Sequence, residues 1–261
     1  MFQTSILASG SKGNSIFVRT SATAVLLDAG LAGTAIFSAL EKINVCPSGI
    51  GALLISHEHI DHIRGAGVIS RKLHIPVYMT ATTYFCSRAR LGNLKNGIVH
   101  FEPGRSFSIG DLEITPFSSS HDVADACNFV FQKKDDQSRK LAVATDLGFG
   151  TKLLLDKIKN STTIILESNH DLQMLLAGPY PWYLKQRIKG NQGHLSNEQA
   201  IGVISQVIHP GIRNLLLAHL SEVNNTPQLA RTSMASFLNN IRHELNLVIS
   251  SQYEPTALID V

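Results

Sequence analysis

Short apolar runs of four or five residues, each closed by a polar or glycine-bearing turn, recur along the whole chain. Ser15-Ile16-Phe17-Val18 and Ala24-Val25-Leu26-Leu27 flank a small polar turn and read as a hairpin. The pattern then predicts a helix over Ala32–Lys42, a buried strand over Gly51–Ile55 and a helix over Ile63–Leu73. A strand at Ile75–Met79 and a helix at Thr80–Leu91 follow. Between Ile98 and Val143 the spacing turns to β, with strands at Ser106–Ile109, Leu112–Thr115, Asn128–Gln132 and Leu141–Ala144. Lys133-Lys134-Asp135-Asp136 reads as a solvated hairpin tip. Helices are then expected at Thr151–Lys159, Pro181–Ile188, Asn197–Val207 and Pro227–Glu244. Strands are expected at Thr163–Leu166, Asn214–Ala218, Leu247–Ser250 and Ala257–Ile259. Two β-rich segments mixed with helices suggest two packed sheets with helices outside, although periodicity does not separate this from other α/β layouts.

The residues that follow these strands change the picture. Directly after Gly51–Ile55 comes Ser56-His57-Glu58-His59-Ile60-Asp61-His62, a density of metal-ligand types that packing does not require. His121 follows Phe117-Ser118-Ser119-Ser120, and Asp146 follows Leu141–Thr145. Glu167 and His170 follow Thr163–Leu166, and His219 follows Leu215–Ala218. Ligands at strand ends converge on one rim of a sheet, where rigid backbone fixes them. Imidazole suits zinc, iron or manganese, and a carboxylate bridges two cations. The expected arrangement is His57, His59 and His121 on one ion, Asp61, His62 and His219 on the other, and Asp146 between. Such ions would sit roughly 3.5–4 Å apart, and a water bridging them would lose a proton near neutral pH and become the nucleophile.

Bulk properties narrow the function classes. The 261 residues suffice for one large domain, and no repeat or linker divides them, so the reading is a single domain over 1–261. Apolar residues are 44% and charged residues 16%, a globular balance, with no apolar run near bilayer length. No basic stretch precedes an apolar core at the N-terminus, so a cytoplasmic location is expected. Cys46, Cys86 and Cys127 form no C-x-x-C pair and read as small buried apolar residues. The net charge of +3 permits nucleic-acid binding without arguing for it.

His57-x-His59-x-Asp61-His62, followed in order by His121, Asp146 and His219, resembles the signature of the metallo-β-lactamase superfamily. That resemblance implies an αββα four-layer sandwich with a dinuclear site at one edge of the paired sheets. Further stretches resemble the WalJ/YycJ (VicX)-like hydrolases of that superfamily: Ser9–Ser15, Thr145-Asp146-Leu147-Gly148, Glu167–Asp171, Gly178–Pro181, Gly193–Asn197 and Leu217–Ser221. They imply a phosphodiesterase with 5′-to-3′ DNA exonuclease activity. Glu167 and His194 also resemble a pair in ribonuclease Z-type enzymes, where the glutamate orients a histidine that protonates the leaving oxygen.

Asp61, Glu167 and His194 are therefore the candidate catalytic residues, with two divalent ions (zinc or manganese, with iron also suited) as cofactors. Nucleic acid, DNA above RNA, is the expected partner, and no membrane is. Candidate substrate contacts are Lys12 and Asn14, in a Gly-flanked loop, together with His170 and Ser196. Lys185, Arg187 and Lys189 form a basic strip that either follows a nucleic-acid backbone or is a solvated helix face. The ligand set alone is shared with thioesterases and lactonases of the glyoxalase II type. A non-catalytic, metal-stabilised regulatory module tied to cell-wall signalling is a further alternative.

Overall fold

Alternation along the strands decides the layering. In a computed structural model describing residues 1–261, fourteen strands form two seven-stranded sheets. The first sheet uses β1 (Phe2–Ala8), β2 (Ser15–Thr20), β3 (Ala24–Leu27), β4 (Ala52–Leu54), β5 (Val77–Met79) and β6 (Ile98–His100). The second uses β7 (Phe107–Ile109), β8 (Leu112–Ser118), β9 (Cys127–Lys133), β10 (Asp136–Ala144), β11 (Thr163–Glu167), β12 (Asn214–Ala218) and β13 (Asn246–Ile249). The last strand, β14 (Ile259–Asp260), returns to the first sheet beside β1. The orders are β14-β1-β2-β3-β4-β5-β6 and β13-β12-β11-β10-β9-β8-β7. Each sheet is antiparallel on one side and parallel on the other, over β3–β6 and β10–β13.

Alternate side chains of each strand enter different layers. Leu54 and Leu216 point between the sheets and pack with Val18, Phe129 and Val143. Leu53 points outward to meet α1 (Gly33–Lys42) and α3 (Ala66–Leu73), through Ile36, Leu40 and Ile69. Leu215 and Leu217 meet α5 (Lys152–Ile158), α8 (Asn197–Val207) and α9 (Pro227–Asn240), through Leu154, Val203 and Met234. The result is a helix–sheet–sheet–helix sandwich. Each fully buried Leu or Phe contributes about 1.5–3 kcal/mol to it. No helix is long and apolar enough to cross a membrane.

The helix expected over Ile63–Leu73 is broken in two, α2 (Ile60–Ile63) and α3, with Gly65 at the break. A Cβ at Gly65 would lie 2.2 Å from the Leu31 carbonyl, so two chain segments cross there at backbone distance. Strand β1 breaks the apolar pattern because Thr4 and Ser5 are buried polar residues; Thr4 donates to the Phe17 carbonyl and Ser5 to that of Thr256. The remaining helices are α4 (Ala81–Leu91), α6 (Leu172–Ala177) and α7 (Trp182–Ile188).

Two buried segments bring the sheets' ends together. Asn14 N donates to the Asp61 carbonyl at 2.8 Å, and Gly30 N donates to the Asn14 carbonyl at 2.9 Å. A Cβ at Gly30 would stand 1.5 Å from the Asp61 carbonyl oxygen, which only a backbone shift relieves. After β11 the chain runs through buried Ser168, Asn169 and His170. Asn197 N donates to the His170 carbonyl, and Asn225 Nδ2 donates to that of Ser168. Burial, opposed by the nearby Glu167, pushes the His170 imidazole down to about 4.

Two measurements check these contacts. Gly30→Ala should cost about 1–3 kcal/mol through overpacking, a fall of roughly 5 °C in melting temperature by calorimetry; an unchanged melting temperature would contradict the close approach. For His170, the unfolded chain takes up a proton below its ordinary pKa of about 6.5, whereas the fold does not until about 4. Its contribution is therefore complete above pH 6.5 and is lost as the pH falls from there toward 4, by about 2 kcal/mol at pH 5. Urea unfolding of wild type and His170→Phe at pH 7 and pH 5 should show the variant losing less stability on acidification. Equal losses would remove His170 from the account.

Candidate metal centre

The rim where β3, β4, β8, β10, β11 and β12 end gathers the polar residues. Asp28, just past β3, fixes the first turn. Its Oδ1 accepts from Ser56 N at 2.8 Å, and its Oδ2 accepts from Ser56 Oγ and lies 2.8 Å from His62 Nδ1. Helix α2 then carries Asp61 and His62 toward the same space. The histidines are held from behind: His57 Nδ1 lies 2.9 Å from Ser56 Oγ, and His121 Nδ1 lies 3.2 Å from the Gly193 carbonyl. His219 Nδ1 is 3.2 Å from Glu167 Oε1 and 3.3 Å from Asn169 Nδ2. One ring nitrogen is thus tied to the protein while Nε2 points inward, as outer partners orient a ligating imidazole.

Within this rim, ligand atoms of His57, His59 and His121 lie within 4.8 Å of one another. The same holds for Asp61, His62 and His219, and for His57, His62 and Asp146. Asp146 Oδ2 is 3.5 Å from His62 Nε2, and its Oδ1 is 3.5 Å from His219 Nε2 and 3.7 Å from His121 Nε2. Asp28, Asp146 and His219 have φ of 63°, 57° and 57°, a left-handed conformation that costs about 1–3 kcal/mol each. That strain sits at the rim, where the turn aims each side chain back over the sheet edge.

The electrostatics favour positive charge. Burial works against ionised Asp146, but His219, His62 and His57 outweigh it and hold the carboxyl well below its usual range. Burial likewise opposes a charged His62, yet Asp28 and Asp146 push its imidazolium up to about 9. His219 is raised well above its ordinary value, with Asp146 overcoming burial. Burial holds His57 well below its ordinary value, with His62 adding to the effect. His57 Nε2, His219 Nε2 and Asp146 Oδ2 are buried without any hydrogen-bond partner. Such orphaned polar atoms are costly unless a cation satisfies them. The donor set of imidazole and carboxylate, with no thiolate, suits a divalent metal.

At the mouth, His194 Nδ1 lies 2.7 Å from Glu167 Oε1. Glu167 is fully buried, and its Oε2 accepts from Leu147 N and Leu195 N at 3.0 Å each. Burial would raise its pKa, but His194 and His219 hold it down at about 2. Above these residues opens a hollow of about 290 Å³, lined by His59, Asp61, His121, Asp146, His194 and His219 together with Ser11, Tyr180 and Arg187.

Other expected residues lie elsewhere. Asn14 is buried, its Nδ2 3.3 Å from Asp61 Oδ2 and 3.1 Å from His62 Nε2; it braces the cluster from beneath. Lys12 pairs with Glu222 at 2.7 Å and donates to Tyr253. Ser196 caps α8 in a capping box, and neither it nor buried His170 lines the hollow. Lys185 is buried, donating to the Leu176 and Gly178 carbonyls, so it leaves the basic strip. Cys46 and Cys86 are exposed, contrary to the expectation of burial, and only Cys127 is buried. Two residues escaped the sequence reading. Asp28 follows a buried strand as the other site residues do, a signal that was present. Asp122, paired with Arg187, follows His121 directly, and nothing in the chain announced that pairing.

Comparison with known proteins agrees with this geometry. The family model for the beta-lactamase superfamily domain matches residues 23–220. Exodeoxyribonuclease YycJ of Bacillus anthracis is 37% identical over 235 residues, covering 90% of this chain and 88% of the relative. Exodeoxyribonuclease WalJ of Streptococcus pneumoniae is 39% identical over 240 residues, covering 91% and 88%. Among solved structures, the metallo-beta-lactamase fold protein YhfI from Bacillus subtilis superposes with a TM-score of 0.73 at 16% identity, covering 98% of this chain and 99% of that one. With sheets, rim and histidine cluster in agreement, the chain belongs to the β-lactamase superfamily.

Proposed function

We propose that this protein is a metal-dependent phosphodiesterase that shortens DNA from its 5′ end. The observation that carries the reading is the Glu167–His194 pair at the mouth of the metal centre. The relatives named exodeoxyribonucleases support the choice of DNA. His57, His59 and His121 would hold one divalent ion, zinc or manganese, and Asp61, His62 and His219 a second, with Asp146 shared. Bound there, the ions supply Lewis acidity toward the phosphoryl group and offset its charge.

The chain's own groups do the rest. Glu167 stays ionised, since His194 and His219 overcome burial and hold it near 2. It therefore accepts from His194 Nδ1–H and turns Nε2 toward the hollow. A sugar alkoxide is a poor leaving group; the imidazolium form of His194, with hydrogens on both nitrogens, gives its Nε2 proton to the departing oxygen and is left as the neutral Nδ1–H tautomer. A positioned acid of this kind contributes about 10²–10⁴-fold. Asn14 and Asp28 keep Asp61 and His62 in register beneath the reacting phosphate.

Removal of Asp146 and removal of His194 should separate metal binding from proton transfer. Asp146→Ala is expected to lose both bound metal, by elemental analysis, and cleavage of end-labelled DNA. His194→Ala should keep its metal and lose about 10²–10⁴-fold in turnover. A His194→Ala protein with full rate would sink the proton-donor role. Turnover of thioesters or lactones by the metal-restored wild type, with DNA and RNA left intact, would reverse the substrate class.

A further inference from the structure

Helix α7 turns one side to the hollow and another to solvent. Leu184, Arg187 and Ile188 line the hollow, while Trp182 and Tyr183 in its first turn are 62% and 74% exposed. The indole and the phenol, on consecutive residues and so about 100° apart around the helix, each present an exposed aromatic surface with no covering element. The Lys189 ammonium lies 5.4 Å from the Trp182 ring centroid, setting a cation against an aromatic face. Tyr183 stands four residues before Arg187, so the two share a side of the helix. From Leu172 to Asn197 no Asp or Glu interrupts this segment. Beyond Arg187 a second hollow of about 550 Å³ opens, walled by no hydrophobic side chain, with Gln186, Asn191 and Gln192 among its walls together with Asp122, which is paired with Arg187.

We propose that this ridge is a stacking platform for the unpaired strand of a nucleic acid whose end occupies the metal-centre hollow. Bases lie against Trp182 and Tyr183, and the backbone phosphates pass Lys189, since Arg187 is already paired with Asp122. The inference rests on the phosphodiesterase reading and adds a single-stranded path to it. A base offers its π-face to an aromatic side chain only when out of the duplex, and such stacking tolerates any sequence. A duplex would meet Lys189 with phosphate but leave both rings in water.

Trp182 is the only tryptophan of the chain, so its fluorescence reports this one position. The full-length, metal-loaded protein is titrated with a short oligothymidylate carrying phosphorothioate linkages to slow cleavage, and separately with a duplex of equal length. The expected result is saturable quenching by the single strand. Anisotropy of the labelled oligonucleotide should show affinity falling about 5- to 100-fold in Trp182→Ala and again in Tyr183→Ala. Trp182→Phe should retain most of the affinity, and thermal melting should be unchanged in all three. Lys189→Gln should lower the slope of log affinity against log salt by about one. Tight single-strand binding that neither aromatic substitution weakens would overturn the platform while leaving the phosphodiesterase reading intact. So would tighter duplex binding without quenching, or self-association that shields Trp182. Quenching and strand binding without any cleavage would sustain the platform and count against the enzyme.

Discussion

The Asp146 carboxylate is 4% exposed and has imidazole nitrogens of His62, His219 and His121 within 3.7 Å. A buried anion is tolerated only where opposite charge is supplied. Those same histidines, crowded in one buried space, are tolerated only around an anion or a cation. The rest of the rim follows from this mutual dependence. Asp28 braces His62, Glu167 reaches His219, and Asn14 ties Asp61 to the turn after β1. Each brace satisfies a polar group that the sandwich would otherwise bury unpaired.

The two sheets make that crowding possible by ending at the same edge. β3 and β4 run parallel in one sheet, and β10, β11 and β12 in the other, so five carboxyl ends deliver residues to one line. Short turns with left-handed φ at Asp28, Asp146 and His219 aim those residues over the edge. The strain is affordable because alternate strand residues are locked in three apolar clusters behind them. A site built this way has little freedom to relax, which keeps orphaned atoms such as His57 Nε2 and Asp146 Oδ2 poised for a ligand.

Much of this was legible because polar residues following buried strands are conspicuous. His57, His59, Asp61 and His62 follow Leu53-Leu54-Ile55 with only Ser56 between strand and cluster. Asp28 obeys the same rule after Leu26-Leu27 but stands without a neighbouring histidine, so its spacing drew no notice. Lys185 was misread for a different reason. Its spacing on α7 matches Lys189 as a surface residue, yet its ammonium caps the carboxyl end of α6, and that docking is a tertiary event. Polar loop residues such as Ser196 and Asn14 look alike in sequence, whether they cap a helix, brace a cluster or meet a ligand. The break at Gly65 reflects two backbones crossing, which no periodicity records.

The division of labour between rim and helix then has a physical basis. Residues on strand ends are held by the core and determine which chemistry is available. Residues on α6 and α7 are held by a few capping bonds, among them those of Lys185, and rest on the rim without belonging to a sheet. A change of substrate class on this scaffold would not require moving Asp146 or the histidines. It would require exchanging what stands beside the hollow, where this chain presents Trp182, Tyr183 and a paired Arg187. The fold and the cluster at its rim are thus set by the core, while what stands beside the hollow is free to differ without disturbing either.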